Sequence, residues 1–227
     1  MKSLGQVIVT AKAPQKPVPD KEILWAAQNK YGDLPSRDFS KFPNIIAIKD
    51  RFKSTTPSPL NLFGEAIANA QERIWIIDHY FLEPDKDKGL RSDRVKQITD
   101  WLLNDSMKAT DIKILTDELK EKGSEDIGTN QVINLFQECA DLLNENRKSD
   151  RSGKCKIEVR FKLDQIFPYV HDRFAIIDDE LWHFGATVGG FHAQVSAATR
   201  GWRASDHNTD AFFESAWSKE HLMGKKR

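Results

Sequence analysis

The sequence predicts an α/β sandwich in which a mixed, mostly parallel sheet is flanked by helices. Strand-like and helix-like runs alternate along most of the 227 residues, which is the pattern of βαβ connections. One run, Arg73–Leu82, is almost continuously apolar and rich in β-branched and aromatic residues, as in a strand buried on both faces. Another run, Asn130–Asn146, carries an apolar stripe at helical spacing and predicts an amphipathic helix.

The remaining elements follow from the same two periodicities. Further strands are predicted at Asn44–Lys49, Asp111–Thr116, Lys156–Leu163, Val170–Asp178 and Glu180–Gly185, the last two as a hairpin. Further helices are predicted at Lys21–Lys30, after the turn 55–59, at Ser92–Lys108 and at Thr209–Leu222. The stretch 186–208 is less regular and predicts no element.

Two parts are expected along the chain. Residues 1–43 are predicted to form an N-terminal arm or linker with a short helix, because Pro14, Pro17 and Pro19 favour an extended segment. Residues 44–227 are predicted to form one domain, which is long enough to bury a sizeable core. The arm is a candidate docking segment for a partner protein.

The composition excludes several classes of protein. The 34 basic and 34 acidic residues balance, so net charge alone indicates neither a nucleic-acid binder nor a membrane binder. No apolar run approaches the ~20 residues of a membrane span, and the N-terminus lacks a secretory signal. Cys139 and Cys155 lack metal-ligand spacing, and two cysteines make no disulfide framework. A cytoplasmic protein without membrane contact is the expectation.

The stretch Val170–Gly190 carries the residues best suited to chemistry. His171 and Arg173 are two positions apart, so on a strand their side chains point to the same face. A guanidinium binds phosphoryl oxygens, and an imidazole attacks phosphorus or transfers a proton, so the pair predicts a phosphate site. Asp178 lies an odd number of positions from His171, which predicts that it anchors the strand end or its turn.

The spacing of this stretch resembles the motif of the phospholipase D superfamily. That motif reads H-x-K, four residues and D, followed by a small-residue turn some residues later. The resemblance covers roughly Asn44–Trp217, although only the central stretch is specific. The residues that carry it here are His171, Arg173, Asp178, Gly185 and Thr187.

The resemblance implies a phosphodiesterase that needs neither metal nor other cofactor. One histidine attacks the phosphodiester and forms a phosphohistidine, a second protonates the leaving group, and water releases the product. The chain has one copy of the motif, so His171 would serve in both roles from the two subunits of a homodimer. Arg173 would bind the scissile phosphate, Thr187 would help to hold the phosphate or its loop, and Asp178 completes the catalytic set.

The single-motif dimeric members resemble nucleases, so DNA is the expected substrate. The H-D-R-F variant resembles a bacterial subgroup associated with defence loci. Three residues depart from the usual motif: Arg173 stands for lysine, Ala186 for serine and Val188 for asparagine. The alternative function is therefore a catalytically degenerate module that binds nucleic acid or supports a larger defence complex.

Other residues have both a functional and a structural interpretation. The acid that orients His171 is sought among Asp206, Asp210 and Glu214. A metal interpretation of His183, His192 and His207 is disfavoured, because their spacing fits no closed site. The local basic excess from Arg147 to Arg173 suits a phosphate backbone or a solvated face. Trp182 and Trp202 either stack on bases or pack internally. Asp78 and His79 either line the crevice or form a polar strand end.

Overall fold

A computed structural model of the chain describes residues 17–25, 59–83, 90–117, 127–147, 153–168, 170–189 and 197–218. Its strands are β1 (Glu22–Trp25), β2 (Arg73–Ile77), β3 (Asp111–Thr116), β4 (Lys156–Phe161), β5 (Arg173–Ile177), β6 (Glu180–Phe184) and β7 (Ala197–Arg203). Its α-helices are α1 (Pro59–Ala68), α2 (Arg91–Leu102), α3 (Thr129–Asn146), the single turn α4 (Leu163–Ile166) and α5 (Thr209–Trp217). A 3₁₀ turn, Ser205–His207, precedes α5.

In the described part of the chain, seven strands form one sheet in the order β1-β7-β6-β5-β2-β3-β4. The β2–β3 and β3–β4 pairs are parallel, whereas the other four pairs are antiparallel. The sheet is mixed, as predicted, but the prediction that it is mostly parallel is wrong. Two antiparallel pairs arise locally, because the turn Asp178–Asp179 returns β6 against β5 and β7 then returns against β6. The other two, β2 with β5 and β1 with β7, join distant segments.

Helices cover both faces of the sheet, which confirms the α/β sandwich. Because strand side chains alternate between faces, Ala175 and Phe174 of β5 point into different cores. The larger core lies under α1, α2 and α3 and includes Phe63, Ile98 and Phe136. The smaller core lies under α5 and includes Trp75, Phe213 and Trp217.

Two strands lie where the sequence predicted something else. The helix predicted at Lys21–Lys30 is wrong over β1, whose residues pair with β7. The stretch 186–208 was predicted to be irregular but contains β7, which pairs on both sides. The predicted strand Asn44–Lys49 lies outside the described residues. The domain boundary after residue 43 stays a prediction, since residues 26–58 are not described.

Gly201 lets the N-terminal segment approach β7 closely. Its φ is +89°, and a Cβ there would lie 2.5 Å from the carbonyl oxygen of Asp20. We expect Gly201→Ala to loosen β1, because positive-φ strain and a clash with backbone cost about 1–3 kcal/mol. Hydrogen exchange of the Glu22–Trp25 amides should accelerate about tenfold or more.

A matched substitution controls for the added methyl group. At Gly153 the nearest atom to a Cβ is Thr110 Cγ2 at 3.8 Å, which is an ordinary contact. Gly153→Ala should therefore leave the β1 amides unchanged. Equal exchange of these amides in both variants and in the native protein would contradict the close approach of β1 to β7.

Candidate functional site

Three of the predicted site residues, His171, Arg173 and Thr187, lie at one end of the sheet. Because β5 runs antiparallel to β2, Phe174 at the start of β5 pairs with Ile77 at the end of β2. His171 and Arg173 therefore lie beside the residues that follow β2. The end of β6 lies at the same edge, since Phe184 pairs with Arg173.

His171 is exposed directly before β5, and within the described residues its imidazole makes no hydrogen bond or ion pair. Arg173 is half-buried, and its guanidinium lies 5.1 Å from the centroid of the Tyr80 ring. Its Nε is 3.7 Å from Asp78 Oδ1, beyond hydrogen-bond reach, and is buried without an acceptor in the described part of the chain. A half-buried guanidinium two residues from an exposed imidazole suits the oxygens of a phosphate through its terminal nitrogens.

Asp78, at the end of β2, is a buried carboxylate that organises this edge. It accepts hydrogen bonds from the backbone N–H of Tyr80 at 2.8 Å and of Val188 at 2.7 Å. Burial raises the pKa of the Asp78 carboxyl, while those two hydrogen bonds and the charges of Arg173 and Arg94 oppose the rise. Asp78 thus links β2 to the turn that follows β6.

Arg94 of α2 hydrogen-bonds the same turn. Its guanidinium donates to the carbonyl oxygens of Phe81 at 3.0 Å, Val188 at 2.6 Å and Gly189 at 2.9 Å. Burial lowers the pKa of Arg94 to about 10, and the charge of Asp78 counteracts that effect. Burying a charged guanidinium costs free energy unless its donors are hydrogen-bonded. The three backbone carbonyls supply those hydrogen bonds to Arg94.

The turn after β6 carries Thr187, the predicted phosphate contact. Thr187 is half-buried between the exposed Gly185 and the buried Val188. Gly189 closes the turn with φ +56°, and a Cβ there would lie 2.6 Å from Phe63. The end of the turn therefore packs closely against Phe63 of the larger core, whereas Thr187 stays partly exposed.

A second histidine lies at the same edge. The Nδ1 of His79 is 2.7 Å from Asp117 Oδ2, and its Nε2 hydrogen-bonds the carbonyl oxygen of Val170. The sequence left Asp78 and His79 open between crevice and strand-end roles, and it gave no reason to single out Asp117. A strand followed directly by an acid, D-I-K-I-L-T-D, was the available signal.

Asp178 lies at the opposite end of β5 from His171. It has φ +56°, and its carboxylate accepts from the backbone N–H of Gln71 at 3.0 Å, Glu72 at 2.6 Å and Arg73 at 3.3 Å. These contacts are those of an anchor for the chain entering β2. The structure does not bring Asp178 together with the other motif residues.

The remaining candidates are dispersed. Asp210 lies 4.0 Å from Arg73 at the far end of β2, and Asp206 and His207 lie in the 3₁₀ turn after β7, at that same end. Glu214 is exposed on α5 and has no contact with His171 in the described residues. His183 lies 3.4 Å from Asp172, His192 is outside the described residues, and the described ranges contain no group of metal-ligating side chains.

Several aromatic and basic candidates have structural positions. Trp182 is fully buried and packs against Phe63 in the larger core, whereas Trp202 is half-buried with Lys21 over its ring. Arg147 is buried and donates to the carbonyl oxygens of Ala109 and Met107. Trp182 and Arg147 are therefore not available to nucleic acid.

Comparison with known proteins gives distant similarities. No family model and no curated protein matches the chain. A phosphatidylserine synthase from Haemophilus influenzae Rd KW20 matches at 16% identity and TM-score 0.42, over 74% of this chain and 38% of its own. NucT from Helicobacter pylori matches at 11% and 0.40, over 87% and 95%. TrmBL2, an archaeal chromatin protein, matches at 12% and 0.35, over 90% and 54%.

TM-scores below 0.5 are too low for these likenesses to carry a functional assignment. Resemblance to the phospholipase D superfamily therefore rests on the spacing of the motif residues in the sequence. The chain spans less than half of the first of these three proteins. None of the helices in the described ranges is long and apolar enough to cross a membrane.

Proposed function

We propose that the chain is a phosphodiesterase of the phospholipase D type, and specifically a nuclease that cleaves DNA. The observation that carries the proposal is that the exposed, unpartnered His171 and the half-buried Arg173, two residues apart, lie at the same sheet edge. The edge is built for precision, since Asp78 and Arg94 fix the turn that bears Thr187. A fixed cation beside a free imidazole supplies both the phosphate contact and the nucleophile.

The proposed reaction passes through a phosphohistidine. An imidazole nitrogen of His171 attacks phosphorus and forms an N–P bond as the P–O bond to the leaving oxygen breaks. The His171 of a second subunit donates a proton to that oxygen. Water then attacks phosphorus, the N–P bond breaks, and the second imidazole takes the proton of the water. Arg173 and Thr187 hold the phosphoryl oxygens, and no step needs a metal ion.

Residues 44–227 are proposed to form the catalytic domain, with a second copy completing the site. The exposed position of His171 at the sheet edge supports such a dimer, since a two-fold axis near this edge brings two imidazoles to one phosphate. A cytoplasmic location, a role in bacterial defence and docking of a partner protein through residues 1–43 stay predictions.

The test is cleavage without metal. Purified protein is incubated in EDTA with plasmid DNA, single-stranded DNA and, separately, phosphatidylglycerol vesicles. We expect cleavage of DNA and no turnover of lipid. Lipid turnover without DNA cleavage would contradict the nuclease and indicate a phosphatidyl transferase. No turnover of any substrate would contradict the proposal that the isolated chain is an enzyme.

Mixing subunits tests whether the site is shared. If each site needs one His171 from each subunit, an equilibrated equal mixture with His171→Ala has about a quarter of its dimers fully active. If each subunit works alone, about half of the sites remain active. Initial rates at constant total protein, after exchange of subunits is verified by light scattering and mass spectrometry of the mixture, separate the two. A value near half contradicts the shared site.

One observation favours the alternative, a binding module without catalysis. The Arg173 guanidinium lies over Tyr80 and near the buried Asp78, so part of its charge is already balanced by protein groups. Such a module would retain DNA in a binding assay and show no cleavage. His171→Ala would then leave DNA affinity nearly unchanged, whereas Arg173→Ala would weaken it.

A further inference from the structure

The His79 side chain connects the end of β3 to the peptide bond in front of His171. Its Nδ1 lies 2.7 Å from Asp117 Oδ2, and its Nε2 bonds the carbonyl oxygen of Val170. That carbonyl belongs to the peptide unit that joins Val170 to His171. The side chain is only 12% exposed, so burial and two contacts together fix the ring.

Asp117 also contacts the chain a few residues earlier, in α4. Its second oxygen, Oδ1, accepts from the backbone N–H of Asp164 in α4 at 2.8 Å. Within the segment, Phe167 N–H donates to Leu163 and Val170 N–H donates to Phe167. The Asp117–His79 pair therefore hydrogen-bonds the backbone at two points before β5: at Asp164 through Asp117, and at Val170, directly before His171, through His79.

Both partners of the His79 ring are oxygen atoms, the carboxylate of Asp117 at Nδ1 and the carbonyl of Val170 at Nε2. A contact at each ring nitrogen fixes the orientation of the imidazole. The ring lies 6.3 Å from that of Tyr80. Arg173 contacts the same Tyr80 ring, with Asp78 as its own counter-charge.

We propose that His79, oriented by Asp117, is a positioning residue that sets the backbone of His171 for attack on phosphorus. This inference rests on the proposed phosphodiesterase. His171 itself has no hydrogen bond in the described part of the chain, so its placement depends on its backbone, and His79 holds that backbone. Small displacements of a nucleophile lower the rate strongly while substrate contacts elsewhere persist.

The kinetic test uses His79→Ala, Asp117→Asn, the double variant and His207→Ala with bis(p-nitrophenyl) phosphate. We expect His79→Ala and Asp117→Asn each to lower kcat by about 10- to 100-fold, with KM changed less than about threefold. The double variant should be no worse than His79→Ala alone, since the two residues act as one unit. His207, exposed at the opposite end of the sheet, should leave both constants unchanged.

A readout independent of activity separates this inference from the proposed function. In ¹⁵N spectra, the Nδ1 signal of His79 should shift in Asp117→Asn relative to the native protein, because the contact with the Asp117 carboxylate is changed. Addition of inorganic phosphate should change the chemical shifts of the His171 ring by a different amount in Asp117→Asn than in the native protein. This variant also tests the inference if His79→Ala does not fold.

The outcomes are distinct. Native protein that cleaves nothing but gives these spectra overturns the phosphodiesterase and keeps the positioning of His171. Native protein that cleaves, with variants equally active per folded molecule, overturns the positioning role alone. Native-like His171 signals in Asp117→Asn overturn it as well, whether or not the native protein is active.

Discussion

Replacing His171 with alanine is expected to abolish phosphodiester cleavage while leaving the protein folded. The imidazole is exposed and has no partner among the described residues, so its removal leaves no cavity and no unpaired group. The free energy of unfolding should change by less than about 0.5 kcal/mol. Loss of a covalent nucleophile should lower the rate on the order of a thousandfold or more.

The measurement pairs initial cleavage rates in EDTA with urea unfolding of the same preparations. His207→Ala removes an exposed imidazole at the other end of the sheet and should retain the native rate. Acid-labile phosphate should be trapped on the native protein and not on His171→Ala. Cleavage by His171→Ala at the native rate would show that His171 takes no part in the reaction. The cleavage would then come from another residue or from a contaminant.

Arg94→Met is expected to give the largest loss of stability. The guanidinium donates to three backbone carbonyls and to Gln97, and it compensates the buried Asp78. Methionine fills much of the volume but leaves those acceptors unpaired and removes one of the two cationic charges, Arg94 and Arg173, that offset Asp78. Removing one member of a buried charge network costs about 3–5 kcal/mol, measurable as a lower urea midpoint with an unchanged m-value.

Lys96→Met on the same helix is the matched control. Lys96 is exposed and pairs with Asp100 at 2.7 Å one turn along α2, and such a pair contributes less than about 1 kcal/mol. Similar midpoints for the two variants would contradict the role assigned to Arg94. Because Arg94 also holds the turn bearing Thr187, its loss should lower cleavage even where the variant is folded.

Local pattern was enough to predict most elements of the two cores. Arg73–Ile77 is a continuous buried run. Lys156–Phe161 packs every second residue, Ile157, Val159 and Phe161, against the larger core, and Thr129–Asn146 buries one stripe. Local pattern therefore indicates all three. In β7, A-A-T-R-G-W-R, most residues are only half-buried. With neither a continuous apolar run nor strict alternation, it gave no strand signal.

Long-range pairing was the part that the sequence did not predict. The order of strands depends on contacts between distant residues, such as Ile77 with Phe174, and no local signal encodes them. The spacing of His171, Arg173 and Thr187 indicated a phosphate site because the motif is contiguous in sequence. Asp117 was missed because it meets His79 and Asp164 only after β3 has joined the sheet.

The two aspartates that end β2 and β5 have a consequence for the order of folding. Asp78 bonds a residue 110 positions ahead, and Asp178 bonds residues 105 to 107 positions behind. Asp178 therefore fixes the alignment of β5 with β2, and Asp78 fixes the end of β2 to the turn after β6. Such closures come late, because bringing distant segments together costs chain entropy before any contact forms. During synthesis one edge of β2 stays unpaired until the chain has grown through β5, as far as Ile177.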